Sequence, residues 1–300
     1  MNYLRAILLT LALFTGSNSF SQDLLNRLNN LPATLIHKAP VFDVEKKYIF
    51  SVDSVHKLMY IQDYGRKPNS HEAHFNQIIY EIPLADLSAG SFLISRDIDN
   101  SNLLKFNIGT SNNRTSIVQY FIANDDVVAV LVQDFITLGK WDYTAQLESE
   151  LNKIIQLFIE RIPDKTKSTK FTGIKSMHKY SSGRVTAIGL KDTTEELNGG
   201  YCFLKSLKNP SFYSGKTSFK SSGLKLAKDL KTELNKINDT KKGSGPAFVY
   251  INHAGLIESV FFINLSDGEN RKLDLNVLDK FNPGISGSGN VKSKMLLIVK

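Results

Sequence analysis

The sequence predicts an α+β protein of two domains, and three observations carry that expectation. Residues 22–163 hold a series of short strand-type runs between Gly, Asn, Asp and Pro clusters. An amphipathic helical stripe closes that half. Beyond it the charge reverses: residues 22–163 carry 13 Lys and Arg against 17 Asp and Glu, whereas residues 164–300 carry 23 against 12. The boundary falls in the polar run PDKTKSTK, Pro163–Lys170, which follows the helix and begins with a helix terminator. The expected organisation is a signal peptide over 1–21, a mostly-β domain over 22–163, and a smaller basic α+β domain with a ββαβ ending over 164–300.

The chain opens MNYLRAILLTLALFTGSNSFSQ. Arg5 gives a positive start, Ala6–Phe14 an apolar run of leader length, and Ser19 and Ser21 the small residues that precede a cut before Gln22. The apolar run is shorter than the roughly 20 residues a spanning helix needs, and Gly16, Ser17 and Asn18 break it. Export to the periplasm or outside the cell is therefore expected, with no transmembrane span after cleavage. The single Cys202, in the apolar run GGYCFLKSL, has no internal disulfide partner and reads as a small buried hydrophobe.

In the first half, after an opening segment LLNRLNNLPATL, the strand candidates are KKYIFSVD, HKLMYIQDY, NQIIYEIPL, GSFLISRD, NLLKFNIG, TSIVQYFIAND and DVVAVLVQDF. Their length and spacing predict an antiparallel sheet or sandwich. Ser116–Ala123 and Val127–Phe135 form the clearest hairpin, joined through NDD. Tyr143–Ile162 then places Leu147, Leu151, Ile154, Ile155, Phe158 and Ile162 on one helical stripe, which must pack on the sheet.

The second half offers strands at VTAIGLKD and GYCFLKSL, a loop KNPSFYSGKTSFKSSG, and a helix over Leu224–Ile237. Leu226, Ala227, Leu230, Leu234 and Ile237 share that helix's apolar face. After a connector DTKKGSGPA come a hairpin, Phe248–Asn252 with Leu256–Leu265, and LDLNVLDKF, expected to form two helical turns presenting Leu275, Leu278 and Phe281. Pro283 and Gly284 stop the helix, and NVKSKMLLIV returns as a strand.

Gly255, Ile257, Val260, Leu273, Asp274, Phe281, Pro283, Gly284 and Gly289 together resemble the C-terminal domain of the TonB family, over residues 248–300. The resemblance implies a ββαβ module whose final edge strand, here Met295, Leu297 and Val299, pairs with a segment of a partner protein. The chain departs from a TonB transducer in its cleavable leader and in having only eight prolines.

Signatures of catalysis are missing. GISGSG, Gly284–Gly289, lacks the last Gly of G-x-S-x-G and is not followed by G-K-[ST]. HEAH, His71–His74, is one residue short of the zinc-protease spacing, and DIDNSN, Asp97–Asn102, lacks the Gly and the distal Glu of a calcium loop. No catalytic residue, metal or cofactor is expected.

What remains is charge. Lys205–Lys242 holds ten lysines against Asp229, Glu233 and Asp239, with aromatics interleaved. Within it Lys208, Phe212, Tyr213, Lys216 and Lys220 form the candidate binding face for an anionic ligand. The expected partners are an anionic envelope lipid or polysaccharide, or another envelope protein; nucleic acid does not suit an exported chain. The functional expectation is a non-enzymatic envelope binding protein. Its alternatives are an interaction module using the TonB-like edge strand and a hydrolase that no motif marks.

Overall fold

Leu58, Met59, Tyr60 and Ile61 follow one another in the chain, and all four are buried. Successive side chains of a strand point to opposite faces, so such a strand must be covered on both sides. The computed structural model describes residues 24–31, 34–38, 42–66, 77–88, 90–96, 102–111, 114–161, 185–188, 196–203, 213–216, 218–236, 245–263, 273–281, 284–286 and 289–299, and shows how that cover is supplied. The leader, His71–His74, Asp97–Asp99, the expected boundary Pro163–Lys170, and Lys208 and Phe212 lie outside the described residues.

The strands are numbered along the chain. The first sheet has seven antiparallel strands in the order β1 (Thr34–Lys38), β2 (Phe42–Asp53), β3 (Leu58–Arg66), β4 (Gln77–Pro83), β7 (Ile117–Ala123), β8 (Asp126–Gln133) and β10 (Val185–Ile188). A smaller antiparallel sheet holds β5 (Phe92–Arg96), β6 (Leu103–Gly109) and β9 (Phe135–Asp142). The third sheet runs β11 (Glu196–Leu197), β12 (Tyr201–Phe203), β17 (Ser293–Val299), β13 (Gly245–Ile251), β14 (Ile257–Phe262), with β12 and β17 parallel. The strands β15 (Gly284–Ser286) and β16 (Gly289–Val291) form a separate pair. The helices are α1 (24–29), α2 (Ala145–Arg161) and α3 (Phe219–Lys236).

Three buried clusters stack these elements. On one face of the seven-stranded sheet, Phe50, Met59, Ile61 and Ile82 meet the small sheet through Phe92, Phe106 and Leu138, α1 through Leu28, and α2 through Leu151, Ile154 and Ile155. On the opposite face Leu58, Tyr60, Ile79, Val118 and Tyr120 meet Tyr201, Phe203, Phe248, Tyr250, Phe261 and Leu296 of the five-stranded sheet. The far side of that second sheet, with Ala247, Val249, Met295 and Leu297, is closed by Leu226, Leu230 and Leu234 of α3. The protein is thus sheet-rich α+β, and the two halves read from the sequence share a buried layer. Val185–Ile188, from beyond the expected boundary, extends the first sheet beside β8.

Most expected strands and both long helices lie where the pattern puts them. The β7–β8 hairpin turns through Asn124 and Asp125, both at positive φ (52° and 63°), the backbone a tight two-residue hairpin needs. The helix α3 starts earlier than Leu224, because the Ser218 hydroxyl accepts a hydrogen bond from the Ser221 amide and so caps it. The two expected turns over LDLNVLDKF are corrected to one 3-10 turn, Leu275–Val277: the Asp274 carboxylate caps Asn276, and Leu278 is already extended. Phe281 is nonetheless buried against Tyr213, and Cys202 is buried as expected.

The strand β9 lies outside the expected runs, as do β1, β11 and β15, and for β9 a bulge explains why. Lys105 pairs with Lys140 while Phe106 pairs with Leu138, so Gly139 is the extra residue. Buried Ile136 and Leu138 are therefore out of phase with buried Trp141, and a period-two pattern does not register. Gly139 has φ +53°, its amide donates to the Tyr48 hydroxyl at 2.8 Å, and a Cβ there would sit 2.6–2.9 Å from the Trp141 ring. Gly139→Ala is expected to cost about 3 kcal/mol through strain and overpacking, measured by urea unfolding.

Candidate functional site

Strand alternation places two charged residues where the sheets face each other. Along β4, Ile79 and Glu81 point toward the five-stranded sheet; along β17, Lys294 and Leu296 point back. Both charged side chains have zero exposure. The Lys294 ammonium donates to Oε1 and Oε2 of Glu81 at 2.6 and 2.7 Å, and the Tyr120 hydroxyl donates to Oε2 at 3.2 Å. The hydroxyls of Tyr60 and Tyr250 are hydrogen-bonded beside them, and Tyr60 stacks on Phe248. Burial pushes the Lys294 ammonium below its ordinary value, opposed by Glu81. Burial first, then Glu81, pushes the hydroxyls of Tyr60, Tyr120 and Tyr250 upward. Fully buried between the two sheets, the Glu81–Lys294 pair holds them in register.

The same strand contributes to a surface site. A cleft of about 880 Å³ lies between the tip of the β7–β8 hairpin and one flank of α3, with Phe203 and β17 residues Met295–Ile298 in its lining. Lys220, Leu224, Lys228, Lys231 and Asn235 recur along α3 at helical spacing and line that flank. Val128 on the hairpin (53% exposed) and Leu224 on the helix (66%) are two of the few large exposed hydrophobic side chains among the described residues, and both line the cleft. None of Lys220, Lys228 and Lys231 has an ion-pair partner among the described residues, whereas Lys225, elsewhere on the helix, is held by Asp229 at 2.7 Å and has its ammonium pushed upward by that contact. Asp125 and Asp126 line the hairpin side.

The expected binding face is redistributed by this geometry. Lys216 and Lys220 are exposed, and Lys220 lines the cleft. Tyr213 must be removed from any binding surface: it is fully buried on Phe281, with its hydroxyl donating to Asp229 at 2.9 Å. Of the expected partner edge, Met295, Leu297 and Val299 have their side chains buried beneath α3. Along these residues the strand pairs with β13, and its described pairing with β12 ends at Lys294. Lysines 228 and 231 were passed over because they sit among ordinary helix-surface charges; the signal is their position on the same flank as the exposed Leu224.

Compared with known proteins, the chain matches no protein-family model, no curated protein and no solved structure. The TonB likeness of residues 248–300 rests on its motif residues alone. Among the described residues no helix is long and apolar enough to cross a membrane.

Removing either partner of a fully buried ion pair strands the other charge. Lys294→Met alone is expected to cost about 3–5 kcal/mol, whereas Lys294→Met combined with Glu81→Leu is expected to be close to neutral, read from denaturant midpoints. The tyrosines add a pH limit. Their folded values lie above the ordinary 10.0, so the stability they contribute is whole below pH 10 and is lost as the unfolded chain ionises above it. Lys294 runs the opposite way, its lowered value contributing above its ordinary 10.5 and being lost as pH falls. Three groups outweigh one, so the melting temperature is expected to fall above pH 10, with tyrosinate absorbance from these residues appearing only on unfolding.

Proposed function

We propose that the protein is an exported envelope-binding protein and that the α3–hairpin cleft takes an anionic lipid. The observation that carries this reading is the pairing, in one cleft, of exposed Leu224 and Val128 with the free ammonium groups of Lys220, Lys228 and Lys231. The volume falls in the range of small-molecule sites, which bury apolar surface and orient a ligand with a few polar groups. An acyl chain would lie on the apolar lining, and a phosphate or carboxylate head would meet the lysines. A polysaccharide would leave the apolar lining unused, which favours lipid among the anionic partners expected from the sequence. Export rests on the leader reading, and binding rather than catalysis on the cleft's chemistry.

The test is co-sedimentation with phosphatidylglycerol vesicles against phosphatidylcholine vesicles. At about 1 kcal/mol per lysine near an anionic surface, Lys220→Glu, Lys228→Glu and Lys231→Glu together are expected to weaken binding by on the order of 10²-fold. Leu224→Asp is expected to weaken binding to both the membrane and a soluble fluorescent fatty acid. Equal binding to the two kinds of vesicle, or an unchanged triple variant, would overturn the reading.

A further inference from the structure

A second polar cluster stands at the rim of the layer between the two large sheets, and it includes a hydroxyl. The β2–β3 hairpin ends β2 with Asp53, whose Oδ1 accepts the backbone amides of Val55 and His56, both at 3.0 Å. Its Oδ2 lies 2.6 Å from Nδ1 of His56. The Asp53 carboxylate is buried and fully occupied, so it orients the imidazole: Nδ1 carries the proton that faces Asp53, and Nε2 is left as an acceptor. The ring is held from a second side by stacking on Tyr250, with centroids 3.6 Å apart and planes within 12°, and Tyr201 meets it edge-on at 5.7 Å.

Nε2 of His56 faces Oγ of Ser259 at 3.5 Å, across 203 residues of sequence. Ser259 is half-buried on β14, the outer strand of the five-stranded sheet. Its position there has a local cause. The pairs Tyr250↔Ser259 and Ile251↔Ile257 leave Glu258 as an extra residue, a bulge that re-aims the side chains around it. Glu258 thereby accepts from the Tyr201 hydroxyl at 2.9 Å, with Lys292 at 4.0 Å, while Ser259 stands opposite Tyr250 and meets His56. A hairpin that needed only a staple would be satisfied by Asp53 and His56; neither the bulge nor the alignment of Nε2 with a hydroxyl from another sheet follows from that need.

We infer that Asp53, His56 and Ser259 form an acyl-transfer site in which Ser259 is the nucleophile, His56 the general base and Asp53 its orienting group. Nucleophile, base and orienter within reach of one another are the geometric requirement, and such contacts are often looser before substrate is bound. The substrate class is an unhindered ester reaching Ser259 from the side of β14, the last strand of its sheet among the described residues. Ser259 Oγ bonds to the acyl carbon, and the ester C–O bond breaks. His56 Nε2 takes the serine proton and gives it to the departing alkoxide. Water, deprotonated by the same nitrogen, then releases the acid and restores Ser259. This site is separate from the lipid cleft, and its chemistry stands or falls without it.

The experiment is labelling of the full chain with a fluorophosphonate, in which Ser259 Oγ bonds to phosphorus, the P–F bond breaks and fluoride leaves with the serine proton. The expected result is a single adduct on the peptide containing Ser259, absent from Ser259→Ala, which loses one hydroxyl. The labelling rate is expected to fall by on the order of 10²-fold in His56→Gln and in Asp53→Asn. The inference is overturned if the folded wild-type protein takes no label at Ser259 while a known serine hydrolase in the same tube does. It is equally overturned if label appears there at the same rate in both His56→Gln and Asp53→Asn.

Discussion

Glu81 and Lys294 meet through both carboxylate oxygens in a layer that neither side chain leaves. Taking two charges out of water costs several kcal/mol each, and only close contact with satisfied hydrogen bonds offsets it. That condition fixes geometry far more tightly than the apolar contacts around it. Tyr60, Phe248 and Leu296 would tolerate a small slide between the sheets. A carboxylate and an ammonium buried together, the carboxylate also accepting from the Tyr120 hydroxyl, would not. The seven-stranded and five-stranded sheets are thus locked in one relative position by a polar contact within an apolar layer.

Both surface sites inherit this lock. The strand β17 sends Lys294 into the intersheet layer, and residues Met295–Ile298 of the same strand help to line the cleft under α3. At the rim of the layer, His56 comes from one sheet and Ser259 from the other, so their separation depends on how the sheets are seated. The helix α3 and the strands β8 and β14 carry most of these groups, and the two sheets set the distances between them.

How much of this was legible depends on whether the deciding signal was local. The β7–β8 hairpin and the stripes of α2 and α3 are short-range patterns and could be read directly. The β9 strand escaped because Gly139 shifts its phase, and the two turns expected over LDLNVLDKF shorten to one because Leu278 is already extended, which apolar spacing does not register. The sites were harder. Lys294 reads as a guard on a solvent-facing strand until the strand is seen in the interior of its sheet. Its phase with Leu296 and Ile298 is a signal, yet Glu81, 213 residues away, is what gives it meaning. His56 and Ser259 have no common motif, because a fold, not a spacing, brings them together. Tyr213 misled for the converse reason: an aromatic among lysines looks exposed, and only the buried contact with Phe281 removes it from the surface.

The parallel pairing of β12 with β17 has a consequence in time as well as in space. Residues 202 and 203 wait for 293 and 294 before their strand has that neighbour, and Glu81 waits for Lys294. Pairings of such long sequence separation are slow to form, since the chain between them must be ordered first. As the chain emerges from the ribosome, the middle of the protein's core is the last part that can close. The cluster built from residues 24–155 needs nothing from later in the chain, so it can pack first and serve as the surface on which the intersheet layer is completed.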